Sequence, residues 1–302
     1  MSTSTLTFPD RVNHLANADL HCHSKVSDGT LEPEALAARA KANGVTLWAL
    51  TDHDEVAGQQ RALDAALALG LPYLTGVEVS VSFAGQVVHI VGLGFDHHNE
   101  ALLAGLRATR GGREQRAREM AAGLAQVGIK DAYEGALKYV GNPELISRTH
   151  FARFLVEAGH CSDISEVFRR YLTEGKPGYV EHRWARLSDA MRWILEAGGQ
   201  AVIAHPARYS FTPTEEYALI TEFIAHGGRG IEVVTGSHSD ADAAKYTETA
   251  LEFALLASRG SDFHSPEESR TDLGQLKDLS GRLSPIWQLL DTRIHWPPAA
   301  RQ

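Results

Sequence analysis

The chain has 302 residues, of which 43% are hydrophobic and 22% are charged, and its formal net charge is −9. This composition is typical of a soluble globular protein that is long enough for one barrel-sized domain or two smaller ones. The negative charge argues against a broadly basic nucleic-acid-binding surface, so we expect no long duplex nucleic acid as a partner.

The sequence gives no sign of a membrane or secreted protein. No window approaches 18 uninterrupted apolar residues, so no membrane partner is expected. Residues 1–17 lack the basic start and apolar run of a secretory signal. Cys22 and Cys161 are the two cysteines, too few for a disulfide framework, so a cytoplasmic location is predicted. The oligomeric state is not predicted.

Short apolar runs that end in polar residues alternate with helical patterns along most of the chain. The predicted strands are 18–23, 47–54, 72–81, 87–95, 201–208, 230–236 and 255–264. The predicted helices between them are 32–44, 55–70, 188–199, 215–228 and 240–254. This alternation favours a largely parallel sheet, and about seven such units predict an α/β fold of the closed or distorted (β/α) barrel type.

Residues 98–185 interrupt the alternation. They contain several helical patterns and no convincing strand. We therefore predict a helical insertion domain at 98–185, over the mouth of a discontinuous barrel domain formed by 18–97 and 186–285.

Histidines and carboxylates recur at the predicted strand ends. One residue separates His21 from His23 at the end of the first strand, so both side chains face the same side of that strand. Asp28 lies in the loop that follows. The other residues of this kind are His53, Glu78, His89, His205, Asp262 and His264. Most of them fall at the C-terminal ends of strands, where α/β barrels place their chemistry.

Six imidazoles and three carboxylates are the mixed nitrogen and oxygen donors expected for Zn, Mn or Fe. Nine ligands are too many for one ion, and a bridging carboxylate would allow two or three. Such a cluster suits phosphate-ester hydrolysis. Some acidic residues in these motifs have a simpler structural interpretation. Asp28 with Gly29 could form a turn, and Asp52 and Asp54 could cap the next helix. Glu78 resists such a reading because an unpaired buried carboxylate is costly.

Together the motifs resemble the PHP (polymerase and histidinol phosphatase) superfamily of metal-dependent phosphoesterases. The matching stretches lie within residues 18–270 and read DLHCHSKVSDG, ALTDHD, GVEVS, VHIVGLG, AVIAHPAR and GSDFH. The resemblance implies a distorted seven-stranded (β/α) barrel, a helical insertion over its C-terminal rim and a trinuclear metal site. Manganese is the expected ion, with zinc and iron as alternatives.

The resemblance also implies a ligand set for each ion. One ion would take His21, His23, Glu78 and Asp262. A second would take Glu78, His89 and His205, with Glu78 as the bridge. The third would take Asp28, His53 and His264. No ligand position is missing, so an active enzyme is expected.

Within the insertion, NPELISRTHFARFLVEAG and YLTEGKPGYV resemble the branch of the family that acts on nucleotides. This resemblance implies removal of the 3'-phosphate from 3',5'-nucleoside bisphosphates, with AMP as a further substrate and a metal-bridging hydroxide as the attacking group. The alternative within this branch is a 5'-to-3' exoribonuclease that acts on short RNA with a 5'-monophosphate. A non-catalytic metal-binding module is the alternative from another class.

Four cationic side chains are predicted to bind substrate phosphates: Arg148, His150, Lys176 and Arg208. For Arg148 and Lys176, a surface ion pair is the alternative.

Catalytic roles are expected for Glu78 as the bridge, for Asp54, beside His53, as a residue that orients a metal ligand, and for His238. Ser237 and His238 follow the sixth strand, so they are also expected to contact the nucleotide or support the metal ligands.

Two further patterns have open interpretations. Arg107, Arg110, Arg113 and Arg116 recur every three residues and would either guide a nucleotide to the metals or form a solvated face. Tyr179 and Trp184 would either stack on a base or pack the insertion onto the barrel.

Overall fold

The computed structural model describes residues 17–182 and 184–298. Within these ranges, eight strands occur. They are β1 (Ala18–Asp19), β2 (Leu47–Leu50), β3 (Tyr73–Phe83), β4 (Gln86–Leu93), β5 (Ala185–Arg186), β6 (Gln200–Ile203), β7 (Gly230–Thr235) and β8 (Leu256–Gly260). Seven of them form one curved sheet in the order β1-β2-β3-β4-β6-β7-β8, and the short β5 pairs with β3 outside this path.

The sheet curves into a nearly closed barrel. The backbone N–H of Leu20 donates to the carbonyl of Arg259 at 3.1 Å, and Cys22 forms an isolated parallel bridge with Phe263. These contacts bring β1 next to β8 and confirm the predicted distorted seven-stranded barrel.

The expectation of a largely parallel sheet is wrong around β4. β4 is antiparallel to β3 and also to β6, whereas the other neighbours along the path are parallel. β3 and β4 form a hairpin whose turn residues, Ala84 and Gly85, both have positive φ (46° and 76°). The turn is too short for a crossover helix, so the chain reverses direction here.

Ten α-helices occur in the described ranges. They are α1 (Pro33–Ala42), α2 (Gln59–Ala68), α3 (Glu100–Arg110), α4 (Arg113–Gln126), α5 (Ala132–Leu137), α6 (Arg148–Glu157), α7 (Ile164–Val167), α8 (Leu187–Glu196), α9 (Pro213–Ala225) and α10 (Asp240–Glu252). None of the described helices has the length and apolarity to cross a membrane.

One end of the barrel interior is apolar and closed. Ile286, Trp287 and Leu290 pack there against Leu20 and Leu47. The strands β1, β2, β6, β7 and β8 end at the opposite rim.

Helices α4–α7, together with a π-helical turn at Phe168–Leu172, have a hydrophobic core of their own. We call this group the helical cluster. Helix α3 instead packs on the barrel: Leu102 and Leu106 belong to the main core, and Gly105 lies so close to Trp193 that a Cβ there would be 2.3 Å from the indole. The predicted boundaries at 98 and 185 stay a prediction.

Candidate active site

Glu78 lies at the centre of a cluster of histidines on the open rim, fully buried in the middle of β3. Its carboxylate oxygens lie within 3.3 Å of five imidazoles. The nitrogen–oxygen distances are 2.9 Å for His53, His89 and His205, 3.2 Å for His23 and 3.3 Å for His21. Burial would raise the pKa of Glu78, but the surrounding imidazoles hold it well below its usual value, so the carboxylate is ionised.

Asp28 brings together a second group of donors. Its Oδ1 is 3.4 Å from His264 Nε2, 3.9 Å from His53 Nε2 and 4.0 Å from His23 Nδ1. Burial would raise the pKa of Asp28, but the imidazoles of His53 and His264 hold it well below its usual value. His23 and His53 thus lie between the carboxylates of Asp28 and Glu78.

Asp262 completes the cluster from the loop after β8. Its Oδ1 is 3.3 Å from His23 Nε2 and 3.6 Å from His21 Nε2, while its Oδ2 accepts from Arg208 Nη1 at 2.5 Å. Within four overlapping groups of this cluster, the possible ligand atoms lie within 4.8 Å of one another. The structure therefore brings together all nine side chains that the sequence singled out.

The donor set fits divalent metal ions. In the described part of the chain, several buried polar atoms of the cluster lack a hydrogen-bond partner of acceptable geometry. They are His21 Nε2, both ring nitrogens of His23, Asp28 Oδ1, His53 Nδ1, Glu78 Oε2 and His205 Nδ1. So many unpaired buried polar atoms in one place would reduce the stability of the folded protein unless a ligand satisfies them. Imidazoles and carboxylates at this spacing are the ligands of Zn, Mn and Fe sites.

Glu232, which the sequence analysis did not single out, supports two of these histidines. It lies in β7, is 1% exposed, and its Oε1 is 2.8 Å from His21 Nδ1. Its Oε2 accepts from the backbone N–H of His205 at 2.6 Å. A carboxylate on Nδ1 fixes the tautomer that leaves Nε2 free for a metal. The signal was present in the sequence, as a carboxylate inside the apolar run GIEVVTG.

Asp52 shapes the loop that contains Asp28. It accepts from Ser24 N at 2.7 Å, from Ser24 Oγ at 2.6 Å and from Ser27 Oγ at 2.6 Å. Gly29 is required in the same loop because a Cβ there would lie 2.1 Å from the carbonyl oxygen of His23. Asp52 therefore holds this loop on the rim, and its side chain does not cap the following helix.

Three residues at the rim adopt the left-handed backbone conformation that non-glycine residues rarely use. Asp54, His205 and Asp262 have φ values of 52°, 27° and 53°. Each directly follows a strand or its extension. Strain of this kind concentrates at functional sites, where the surrounding structure holds it.

Asp54 contacts different groups from those expected. Its Oδ1 accepts from Ser80 N at 2.8 Å, its Oδ2 accepts from Ser80 Oγ at 3.0 Å, and Arg113 also donates to Oδ2. These bonds join the loop after β2 to β3 and fix the guanidinium of Arg113. The structure thus gives no support for a contact through which Asp54 would orient the His53 ring.

Arginines line a cavity of about 150 Å³ beside the cluster. The four are Arg113, Arg116, Arg148 and Arg208. Burial and the neighbouring Arg148 and Arg113 lower the pKa of Arg116 to about 10, and burial and Arg208 lower the pKa of Arg148. Mutual repulsion of buried cations makes the cavity a favourable place for an anion.

The predicted arginine stripe is broken between α3 and α4. Gly112, with a φ of 87°, separates the two helices. Arg110 donates to the backbone carbonyl of Asp54 at 2.6 Å and Arg107 is exposed, whereas Arg113 and Arg116 line the cavity. The four arginines therefore do not form one continuous face, and half of them line the cavity.

Four predicted substrate-binding residues are not among the described residues that line this cavity. His150 is buried, and its Nδ1 accepts from the backbone N–H of Ser147 at 3.0 Å, as part of the cap of α6. Lys176 is exposed on a turn. Ser237 lines a neighbouring space on the rim.

His238, the fourth, lines a separate space together with Gly236 and Thr271. Its Nδ1 is 2.9 Å from the carbonyl oxygen of Val233, and its Nε2 accepts from Ala207 N at 3.4 Å. Its ring stacks on Tyr246, with the ring centroids 5.3 Å apart. Both ring nitrogens contact the backbone, which gives no support for the catalytic role expected of His238.

Trp184 lines the cavity, whereas Tyr179 is half-buried and is not among the lining residues described. The guanidinium of Arg113 lies 4.6 Å from the centroid of the Trp184 ring. The indole therefore positions an arginine of the cavity wall.

Comparisons with known proteins agree with this geometry. Residues 19–203 match the family profile described as PHP domain. The chain is 52% identical over 283 residues to a 3',5'-nucleoside bisphosphate phosphatase of Chromobacterium violaceum, covering 94% of this chain and 99% of that protein. It is 42% identical over 270 residues to a 5'-3' exoribonuclease of Haemophilus influenzae, covering 89% and 97%. A solved structure of an amidohydrolase from Chromobacterium violaceum, with bound sulfate and no metal, is 51% identical with a TM-score of 0.91, covering 95% of this chain and 100% of that one.

Proposed function

Because the chain belongs to the PHP-domain family of metal-dependent phosphoesterases, we propose that it hydrolyses phosphomonoesters of nucleotides. The preferred substrate is a 3',5'-nucleoside bisphosphate that loses its 3'-phosphate, and AMP is a further substrate. The observation that supports a bisphosphate is the cavity lined by four arginines directly beside a cluster of metal-ligand type. One phosphate of the bisphosphate would bind at the cluster, and the second would bind at a separate cationic site.

The proposed centre holds three divalent ions, with manganese favoured over zinc and iron. The first ion takes His21, His23, Glu78 and Asp262, the second takes Glu78, His89 and His205, and the third takes Asp28, His53 and His264. The short distances from both oxygens of Glu78 to surrounding imidazoles support its role as a bridge.

In the proposed reaction, a water oxygen forms a bond to phosphorus while the bond from phosphorus to the ribose O3' breaks, and O3' takes up a proton. Divalent ions, when bound, lower the pKa of water and neutralise the phosphoryl oxygens. Arg208, held by Asp262 at 2.5 Å, is placed to donate to the reacting phosphoryl group. Arg113, Arg116 and Arg148 hold the second phosphate, since guanidinium groups suit phosphate oxygens.

A 5'-3' exoribonuclease acting on short RNA is the second candidate function. The arginine-lined cavity is continuous with a further space along the rim, because both share Thr149, Phe168 and Arg208 among their lining residues. An open path of this kind would admit a nucleotide that is still part of a strand.

The test is turnover by manganese-reconstituted protein on adenosine 3',5'-bisphosphate, on adenosine 3'-monophosphate and on a short RNA with a 5'-monophosphate. We expect phosphate release that favours the bisphosphate, and little RNA degradation. Arg148→Met should remove most of the preference for the bisphosphate over the 3'-monophosphate. Arg169→Met, at an exposed position of the helical cluster, is the matched control. Stepwise release of mononucleotides from RNA at higher efficiency would favour the exoribonuclease instead.

A further inference from the structure

The arginine-lined cavity is too small to enclose a whole nucleotide. Its volume is about 150 Å³. Pockets that bury drug-sized ligands begin at about 300 Å³. If phosphates occupy this cavity, the nucleobase must lie outside it.

Two larger spaces adjoin the cavity. One, of about 580 Å³, shares only Trp184 with it among the lining residues described, so the indole stands between the two. The other, of about 390 Å³, shares Thr149, Phe168 and Arg208, and also Asp262 and His264 of the cluster. We call this second space the rim compartment. A nucleotide whose phosphate lies at the cluster can reach the rim compartment without crossing a wall.

Phe168 is the large aromatic side chain on the boundary of the rim compartment. It lines both spaces, and its half-buried ring lies 5.6 Å from the guanidinium of Arg148. Phe168 begins the π-helical turn at Phe168–Leu172, an irregularity that is rare in helices and frequent at functional sites. The other lining residues of the rim compartment include Ser237, Ser269 and Arg270 on the rim loops.

We propose that the rim compartment is a nucleobase-binding site and that the base stacks on the ring of Phe168. This inference rests on the proposed nucleotide substrate. A base on Phe168 would keep its sugar next to Arg148, which lies on the phosphate side of the same ring. Stacking on an aromatic ring tolerates every base, so the site favours nucleotides over other phosphate esters without selecting one base.

The test compares adenosine 3',5'-bisphosphate with an abasic analogue, 1-deoxyribose 3,5-bisphosphate, on manganese-loaded protein. Phe168→Leu keeps the apolar packing on the helical cluster and removes the aromatic face. We expect KM for the adenosine compound to rise about tenfold or more, with kcat within about twofold. KM for the abasic compound should stay unchanged, and Phe168→Tyr should restore the value of the parent protein.

Phe83→Leu is the matched control, because Phe83 lines the larger space beyond Trp184. A selective loss in Phe83→Leu would place the base there and overturn the proposal. So would an equal effect of Phe168→Leu on both compounds, or no effect on either. Calorimetric binding of AMP and of ribose 5-phosphate is measured in parallel. If the parent protein hydrolyses neither bisphosphate, the proposed function fails, while a loss of AMP affinity confined to Phe168→Leu still supports the base site.

Discussion

At the scale of single residues, the metal-type cluster depends on a carboxylate that is not one of the nine candidate ligands. Glu232 contacts His21 through one oxygen and the backbone of His205 through the other. Its position therefore sets both the tautomer of His21 and the strained backbone of His205, whose φ is 27°. Substitution of such supporting residues typically lowers metal affinity by about 10- to 100-fold.

We predict that Glu232→Gln lowers metal affinity while the fold is retained. The amide keeps one acceptor for His205 N but directs an NH₂ group at His21 Nδ1, which favours the wrong tautomer. Metal content after dialysis, measured by inductively coupled plasma mass spectrometry, should fall. Glu222→Gln, at an exposed position of α9, should leave it unchanged. Full metal content with parental affinity in Glu232→Gln would refute the positioning role.

His150 gives a prediction about acid stability. Burial lowers the pKa of His150 from its ordinary value of 6.5 to about 4, so between these values the unfolded chain binds a proton that the folded chain does not. The contribution of neutral His150 to the free energy of unfolding is therefore fully present above pH 6.5 and is lost as the pH falls toward 4. Between pH 7.5 and 5.5 this loss amounts to about 1 kcal/mol.

His150→Gln should reduce this loss by that amount, because glutamine can accept from Ser147 N but does not titrate. Urea unfolding of the EDTA-treated protein at both pH values is the measurement. His226→Gln, at an exposed histidine at the end of α9, is the control and should leave the loss as it is in the parent. The same acid loss in His150→Gln as in the parent would contradict the assignment.

At the scale of elements, the sequence predicted the positions of most strands and helices but not all of their directions. Residues 72–81 and 87–95 have strong strand patterns, and β3 and β4 are found there. Their antiparallel pairing follows from a tight turn at Ala84 and Gly85, and a five-residue gap with one glycine was a hairpin signal. Glu232 was missed and Asp52 was given a different role because their partners, His21 and Ser24, are far away in the sequence, and only the fold brings them together.

The candidate substrate residues show the same limit. His150 and Arg148 both lie near the start of α6, but the helix directs one into a cap and the other into the cavity. Residue type and loop position cannot separate these outcomes, since both depend on which face of α6 meets the barrel. The metal-type residues were easier to predict because strand alternation and strand ends fix their direction.

Helix α6 is also joined to the barrel by an ion pair. Arg153, which is 7% exposed, donates through Nε and Nη2 to the carboxylate of Glu268, with both distances 2.7 Å. Bidentate geometry and partial burial make this pair stronger than an exposed one.

We expect a coupling energy of about 1 kcal/mol between Arg153→Met and Glu268→Gln in a double-mutant cycle on urea unfolding. The exposed pair of Arg118 and Glu114 on α4 should show a smaller value. Equal coupling in both pairs would show that α6 is not held to the barrel by this contact.

At the scale of the whole molecule, metal ions should contribute to stability as well as to hydrolysis. Ions that bind only the folded chain stabilise it by about 3 kcal/mol at a free concentration 100 times Kd. For a chain of this size, that corresponds to a rise in Tm of roughly 5 °C.

EDTA should therefore lower Tm by this amount, and added Mn²⁺ should restore both Tm and turnover, as measured by calorimetry and phosphate release. In Asp262→Ala the shift should be smaller and turnover should be lost, while far-ultraviolet circular dichroism remains that of the parent. The same metal-dependent shift in Asp262→Ala as in the parent would contradict the assignment of Asp262.

The closure of the barrel has a consequence for the nascent chain. His23 lies 3.3 Å from Asp262, and its backbone N–H donates to the carbonyl of Phe263. His23 follows the first strand of the sheet, whereas Asp262 and Phe263 follow the last strand. During synthesis, the first two histidines emerge from the ribosome long before the last carboxylate. The complete centre can assemble only after β8 has joined β1. We therefore expect hydrolytic activity to arise in a single late step of folding, so that ribosome-bound fragments ending before residue 262 leave cellular nucleotides intact.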